Sequence, residues 1–290
     1  MESVPYDKRS GKIWFNGKTV DWADANIHIL NHGLHYASCV FEGLRVYEKK
    51  IFKLEEHIQR LFKSALILDL KIQYSIDEII SKTIELVNKE KITNGYIRPV
   101  VWRGSEKMAI SAINASTNIA IAAWKWPSYF SPDLIEKGIK LTVSRWKRPS
   151  PESAPTNSKA AGLYMICSLS KHEAEKDGFD DALMLDYRNY IAEATGANIF
   201  FVKNKKLYSP RPDCFLDGIT RQSVIKIAKE HKIQVIEDHF NLDFLEDCEE
   251  VFLTGTAVEI TPVASIDDYK FRVGETTKFL IENFKKLVIK

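Results

Sequence analysis

Lys159 stands in a run of small residues, APTNSKAAG at 154–162, where a loop is predicted to become a helix. Small neighbours leave room for a bulky group beside the amine. Burial in such a pocket lowers a lysine pKa towards about 7–8 and frees a nucleophilic amine for Schiff-base chemistry. The run by itself is also typical of a surface lysine at a helix start, and in a lysine-rich chain this second interpretation is favoured.

Two short segments could each bind a phosphate. Residues 218–220, Gly-Ile-Thr, open a predicted helix, and residues 255–257, Gly-Thr-Ala, follow a predicted strand. Free backbone amides at such positions favour an anion. The chain lacks the glycine-rich GxxxxGK[ST] and GxGxxG motifs of nucleotide-binding proteins. Each segment alone is typical of an ordinary helix start or strand end, but the two together favour a ligand with a single phosphate.

Glu193 lies near the end of the predicted strand at 190–194, YIAEA. A carboxylate on a half-buried sheet is costly unless it is paired. Its partner could be the pyridinium nitrogen of a bound cofactor, because enzymes that use a pyridine-ring cofactor require a carboxylate at that nitrogen. The alternation of the strand by itself favours the alternative, a side chain on the solvent face.

Three polar residues of the first half could also belong to a site. Tyr96 and Arg98 alternate along a predicted strand and so share one face, which indicates either the wall of a site or the shielding of a sheet edge. Arg60 lies two positions from Ile58 on a predicted helix, so the pattern predicts that it points away from the apolar face, into solvent.

Composition excludes several classes of protein. The formal net charge is +2 and the lysines are scattered, which argues against nucleic acid as a partner. Without an N-terminal apolar segment or a run long enough to span a membrane, we expect a cytoplasmic protein. The four cysteines form no CxxC pair, which favours free thiols. His28, His32 and His35 lack a carboxylate at a matching offset, so a structural role is favoured over a metal site.

The elements predict an α+β chain with a small domain at 1–124, a linker at 125–134 and a larger mixed domain at 135–290. Pro127 and Pro132 mark the linker, because proline breaks both helix and strand periodicity. The predicted helices are 55–69, one starting at the Ser75–Glu78 capping box, 159–177, 219–231 and 276–289. The predicted strands are 96–102, 118–124, 140–146, 181–186, 190–194, 233–238 and 250–256, with hairpins at 12–21 and 198–209.

The run Glu193-x-Thr-x-x-Asn-Ile-Phe, then Leu207-x-Ser209, then Leu216-x-Gly218-Ile219-x-Arg221 resembles the signature of the fold-type IV (class IV) pyridoxal-phosphate aminotransferases. Further segments are similar to the branched-chain amino-acid aminotransferases within that group. They occur in order along essentially the whole chain: WFNGKTVDW, HGLHYASCVFEGLR, HIQRL, YIRPVV, SAPTNSKAAGLY, LDGITRQ and LTGTAVEITPV.

The resemblance implies a two-domain fold-type IV architecture, with a small α/β domain and a larger, barrel-like mixed-sheet domain, working as a homodimer or homohexamer. It implies ping-pong transfer of the amino group of leucine, isoleucine or valine to 2-oxoglutarate with pyridoxal 5′-phosphate, through a Lys159 Schiff base. The implied cofactor-binding residues are Arg60, Lys159, Tyr164, Glu193, Ile219, Thr220 and Thr256. For Arg60 this implication overrules the exposed position that the helical pattern predicts. The implied substrate-binding residues are Phe41, Tyr96, Arg98, Trp126, Tyr129 and Ala257, with Tyr36, Met108 and Ile110 reaching in from a partner subunit.

One segment departs from the branched-chain pattern. Arg103, Glu106 and Lys107 stand where those enzymes have small or apolar residues. Tyr96-Ile97-Arg98 favours the branched-chain group over D-amino-acid or amine transaminases. Two alternatives stay open: a fold-type IV lyase acting on an amino-chorismate-like substrate, and a member that binds the cofactor only for structure or regulation, which Lys159 and Glu193 together disfavour.

Overall fold

The computed structural model describes residues 4–126 and 132–289. The chain divides into two compact units, Met1–Pro127 with Ser158–Gly162, and Ser128–Asn157 with Leu163–Lys290. The short segment Ser158–Gly162, predicted to belong to the second domain, therefore folds with the first unit. Half of the predicted linker lies outside the described residues, so its boundaries stay a prediction.

Within residues 4–126, the first unit forms a seven-stranded sheet in the order β2-β1-β7-β6-β4-β5, with β3 also paired to β6. All of its pairings are antiparallel. Its strands are β1 (Lys12–Phe15), β2 (Lys18–Asp21), β3 (Cys39–Phe41), β4 (Leu44–Tyr47), β5 (Lys50–Ile51), β6 (Gly95–Arg103) and β7 (Thr117–Lys125). Its helices are α1 (His32–Tyr36), α2 (Leu54–Ile67) and α3 (Ile76–Lys89), with 3-10 turns at Tyr6–Lys8 and Trp22–Asp24.

Local sequence explains this unit well. Asn16 and Gly17 both take positive φ angles, 46° and 86°, as the favoured hairpin turn between β1 and β2 requires. Ser75 and Glu78 form the predicted capping box at the start of α3. Ile58 and Leu61 of α2 lie in the buried core of this unit, as the helical period of apolar residues predicts.

Between residues 132 and 289, the second unit forms a nine-stranded sheet in the order β10-β9-β8-β15-β14-β11-β12-β13, with β16 paired to β15. An added pairing of β10 with β11 closes six of these strands into a barrel. The strands are β8 (Ile139–Val143), β9 (Asp181–Leu185), β10 (Ile191–Ala194), β11 (Asn198–Lys203), β12 (Lys206–Pro210), β13 (Val235–Asp238), β14 (Glu250–Gly255), β15 (Glu259–Ile266) and β16 (Tyr269–Lys270).

The helices after residue 131 are α4 (Pro132–Lys137), α5 (Tyr164–Lys176), α6 (Ile219–Glu230) and α7 (Glu275–Ile289), with 3-10 turns at Ala161–Leu163 and Leu242–Asp247. The prediction of a helix over 159–177 is wrong at its start. Ala160 forms an antiparallel bridge with Val40, and that extended backbone cannot also be helical. No helix among the described residues is both long enough and apolar enough to cross a membrane.

Candidate active site

Lys159 is held by its backbone on the sheet of the first unit. The Phe41 amide donates to the Lys159 carbonyl at 3.2 Å, and the Lys159 amide donates to Ser64 Oγ at 3.0 Å. The next residue, Ala160, bridges to Val40. The lysine is half-buried, and its Nζ lies 5.2 Å from the centre of the Phe41 ring. The loop therefore presents a defined amine, not a freely moving surface lysine.

Four predicted substrate residues come together in the same unit. The Arg98 guanidinium lies 4.6 Å from the centre of the Phe41 ring, and its Nη2 lies 3.4 Å from the Tyr96 hydroxyl. The rings of Tyr96 and Trp126 meet edge to face at 4.6 Å. Because two cations, Arg98 and Lys159, lie near one aromatic ring, this wall combines apolar surface with positive charge. Tyr96 and Arg98 thus lie together with Phe41 and Trp126, and their role as the wall of a site stays a prediction.

Arg60 is not exposed, so the prediction from the helical pattern is wrong. Only 16% of its side chain is accessible, because Glu42 holds it: Arg60 Nε donates to Oε1 at 2.6 Å and Nη2 donates to Oε2 at 3.0 Å. The fully buried Glu42 also accepts from His57 Nδ1 at 2.7 Å. Burial acts to raise the pKa of Glu42, but Arg60 and His57 outweigh it and hold this pKa well below its ordinary value. Burial lowers the pKa of His57 below its ordinary value, although the bond to Glu42 acts to raise it.

Replacing Glu42 with alanine should destabilise the protein by about 3–5 kcal/mol, because it leaves the Arg60 cation and the His57 ring without their buried partner. Urea denaturation measures the loss. Since the folded pKa of Glu42 lies below its ordinary value of 4.5, the stabilisation is complete above that pH and is lost as the pH falls through the folded pKa. Glu56→Ala is the control, because the exposed Lys53–Glu56 pair contributes less than about 1 kcal/mol. Equal losses for the two variants at pH 7 would contradict this account.

Tyr36, Met108 and Ile110 stay exposed, with 43%, 40% and 87% of their surface accessible. Hydrogen bonds hold the segment that carries Met108 and Ile110 to the rest of the first unit. His32 Nε2 bonds the Ala109 carbonyl at 2.9 Å, and Arg103 donates to the Ala112 carbonyl at 3.1 Å.

The three departures from the family pattern divide into two kinds. Arg103 is buried and also donates to the Asp69 carbonyl at 2.6 Å, while Glu106 accepts from the Ser116 hydroxyl. Both side chains thus fasten their own segment in place. Lys107 is exposed on the same surface as Met108.

In the second unit, Glu193 is half-buried and paired, so the solvent-face interpretation is wrong. Only 12% of its side chain is accessible. Its Oε1 lies 3.3 Å from Arg148 Nε, and its Oε2 accepts from Asn198 Nδ2 at 3.2 Å. Burial acts to lower the pKa of Arg148, but Glu193 raises it above the ordinary value, and Tyr164 lies close enough to raise it further. This pairing stabilises an anionic carboxylate inside the protein.

The two segments predicted to bind an anion are a helix start and a turn after a strand, as the sequence predicts, and their binding of an anion stays a prediction. Helix α6 begins at Ile219, with Gly218 as an N-cap that makes no side-chain cap, and Thr220 is buried. The first amides of a helix have no acceptor within it, so this start can bind an anion. Thr256 and Ala257 lie in the turn that joins β14 to β15. Asn198 pairs with both Glu193 and Thr254, which brings these strand ends to one rim of the barrel.

Sequence reasoning missed four side chains that hold the predicted ones, namely Glu42, His57, Arg148 and Asn198. One signal for Glu42 was available, since a lone carboxylate in the apolar run VFEGL needs a buried partner. His57 and Arg60 lie three positions apart on α2, which places them on one helix face. Another predicted substrate residue, Tyr129, lies outside the described residues.

Comparison with known proteins gives a consistent result along the chain. The family model described as class IV amino-transferase matches residues 39–266. A probable branched-chain-amino-acid aminotransferase of Rickettsia felis is 48% identical over 267 residues, which cover 92% of this chain and 91% of the relative.

Solved structures agree with the sequence relatives. The crystal structure of the Escherichia coli branched-chain amino acid aminotransferase matches with a TM-score of 0.93 and 38% identity, over 97% of this chain and 95% of that chain. The branched-chain amino acid aminotransferase of Thermobaculum terrenum, in its PLP-form, matches with a TM-score of 0.88 and 30% identity, over 96% and 94% of the two chains.

Proposed function

The chain belongs to the class IV aminotransferases, and we propose that within this family it transfers the amino group of leucine, isoleucine and valine to 2-oxoglutarate. The observation that carries this proposal is the near full-length similarity to relatives and solved structures named as branched-chain aminotransferases. The wall formed by Phe41, Tyr96, Arg98 and Trp126 supports it, because aromatic rings suit an apolar side chain and a guanidinium suits a carboxylate.

Pyridoxal 5′-phosphate is the cofactor of this family, and the residues present fit it. A cofactor with an aldehyde, a basic ring nitrogen and a phosphate needs an amine, an anionic carboxylate and an anion site. Lys159 is a half-buried amine on a fixed loop, and Arg148 stabilises Glu193 as a carboxylate. The start of α6, at Ile219 and Thr220, offers helix amides to a phosphate. We propose Arg60, Tyr164 and Thr256 as the remaining cofactor residues.

Each of these residues has a definable task in the reaction. When bound, the cofactor draws electrons from the amino-acid α-carbon, which makes the α-proton removable. Glu193 holds the proton on the ring nitrogen, and we assign the removal and return of the α-proton to the Lys159 amine. The helix start and Arg60 bind the phosphate, which keeps the reacting atoms in place. One amino acid leaves as its 2-oxo acid before the second 2-oxo acid enters, which gives ping-pong kinetics.

We propose that Tyr36, Met108 and Ile110 act on the site of a partner subunit in a homodimer or homohexamer. Other apolar side chains near them in sequence are exposed as well, with Leu34 at 60% and Ile113 at 71%. An apolar recess of about 440 Å³, lined in part by Ile13, Leu34, Val100 and Ala122, opens on this unit. Apolar surface of this extent is typical of a subunit interface.

A cytoplasmic location remains our proposal, and the state of the cysteines supports it. The four cysteines are free thiols, and burial raises their pKa to about 11 or 12. Free thiols are the form expected in a reducing compartment.

Purified protein with pyridoxal 5′-phosphate, L-leucine and 2-oxoglutarate should form glutamate and 4-methyl-2-oxopentanoate in equal amounts. D-leucine, a primary amine and 4-amino-4-deoxychorismate serve as the comparison donors. We expect kcat/KM for L-leucine to exceed that for each by at least about 100-fold, since discrimination of this size needs only about 3 kcal/mol. Pyruvate release from the chorismate compound, without glutamate from leucine, would replace the proposed reaction with an elimination.

A further inference from the structure

Asn198 is a buried polar side chain that none of the tasks above employs. It begins β11 and is 5% exposed. Besides its bond to Glu193, its Nδ2 donates to the Leu216 carbonyl at 3.0 Å, and its Oδ1 accepts from the Gly218 amide at 3.1 Å. One side chain thus connects the carboxylate on β10 with the loop that leads into α6.

The orientation of this amide follows from its neighbours. A backbone carbonyl only accepts and a backbone amide only donates, so Oδ1 must face Gly218 and the NH2 group must face Leu216. The second hydrogen of that NH2 group then points at Glu193 Oε2. Arg148 Nε lies 3.3 Å from Oε1 as an ion-pair partner, so the directional bond from Asn198 is made to the other oxygen of the carboxylate.

Gly218 lies so close to Asn198 that position 218 has no room for a side chain. A Cβ atom at position 218 would lie 2.2 Å from Asn198 Oδ1, which is closer than any side chain tolerates. Gly218 is also the N-cap of α6, so the Asn198 bond to its amide lies directly before the first helical residue. The same Asn198 side chain thus contacts both Glu193 and the residue that leads into the Ile219 and Thr220 amides.

We propose that Asn198 is a positioning residue that couples the Glu193 carboxylate to the phosphate-binding start of α6. This inference rests on the proposed function, which assigns the cofactor ring to Glu193 and its phosphate to Ile219 and Thr220. A ligand that reaches both groups gains from their fixed separation, because neither group has to be ordered when the ligand binds. A ligand that reaches only Glu193 gains nothing from the helix.

The test compares two ligands that form no covalent bond with a lysine: pyridoxamine 5′-phosphate and pyridoxamine, which lacks the phosphate. Titration calorimetry measures both dissociation constants. The constant for pyridoxamine divided by that for pyridoxamine 5′-phosphate gives the factor by which the phosphate increases affinity. In Asn198→Ala we expect this ratio to fall by at least about tenfold, because the helix amides that bind the phosphate are no longer held at a fixed distance from Glu193. The control is Ser170→Ala, which removes another buried polar side chain of the same unit and should leave the ratio within about twofold.

Asn198→Asp keeps the side-chain volume and the acceptor for Gly218 but turns an acceptor towards Glu193 and Leu216. It should show the same fall in the ratio of dissociation constants, and it replaces the alanine variant in the test if that variant does not fold. A ratio unchanged from wild type in a folded Asn198 variant, whatever happens to its thermal stability, would overturn the positioning role alone. Failure of the wild-type protein to bind pyridoxamine 5′-phosphate would overturn the proposed function as well.

Discussion

Replacing Lys159 with alanine is expected to lower kcat with L-leucine on the order of 10⁴-fold and to abolish the absorbance of a lysine-bound cofactor. The first loss follows because the amine transfers the α-proton, a contribution that commonly reaches this size. The second follows because the amine is the nucleophile that bonds the cofactor aldehyde. Since Phe41 and Ser64 hold the backbone of this segment, the fold should be retained.

The matched control is Lys63→Ala, which removes an exposed lysine from α2 of the same unit and should change kcat less than twofold. Added ethylamine should restore part of the lost rate in Lys159→Ala, because a small amine fits the space that the side chain leaves. A Lys159 variant that keeps both the absorbance and the rate would refute the assignment of this lysine.

Replacing Glu193 with glutamine should lower kcat by about 10²–10³-fold, the usual effect of removing one fixed electrostatic group from a reacting centre. The carboxamide keeps the shape of the side chain and still accepts from Asn198. It carries no charge, so it holds a proton on the cofactor ring less well. Steady-state kinetics with L-leucine measure the loss, and Glu230→Gln, at an exposed residue of α6, is the control.

A second variant separates charge from stability at this position. Glu193→Gln leaves Arg148 as a buried cation without its carboxylate, which destabilises the fold. Glu193→Gln combined with Arg148→Met removes that cation, so thermal stability should recover while the rate stays low. A rate that recovers together with stability would show that the carboxylate acts only through the fold.

Local patterns in the sequence predict much of this molecule. The hairpin at Asn16-Gly17, the capping box at Ser75 and the helix that begins at Ile219 each depend on a few neighbouring residues. The same holds for the anion site that we propose at the start of α6, because a helix start carries its own amides. The family resemblance added the roles of Lys159 and Glu193, which their surroundings in the sequence left open.

What the sequence alone did not predict depends on contacts between distant residues. Arg60 was predicted to be exposed because its partner, Glu42, is eighteen positions away. Glu193 is half-buried and paired with Arg148, which lies forty-five positions away in the sequence. The pairing of Ala160 with Val40 delays the start of α5 to Tyr164, and no periodicity within 159–177 reveals that pairing.

The central claim is that Lys159 carries the cofactor, and one measurement tests it directly. The protein is incubated with pyridoxal 5′-phosphate, reduced with borohydride to fix the cofactor to its lysine, digested, and mapped by mass spectrometry. The account predicts the added mass on the peptide that contains Lys159, and no such mass there when L-leucine has first converted the cofactor to its amine form. Added mass on another lysine, with Lys159 unmodified, would contradict it.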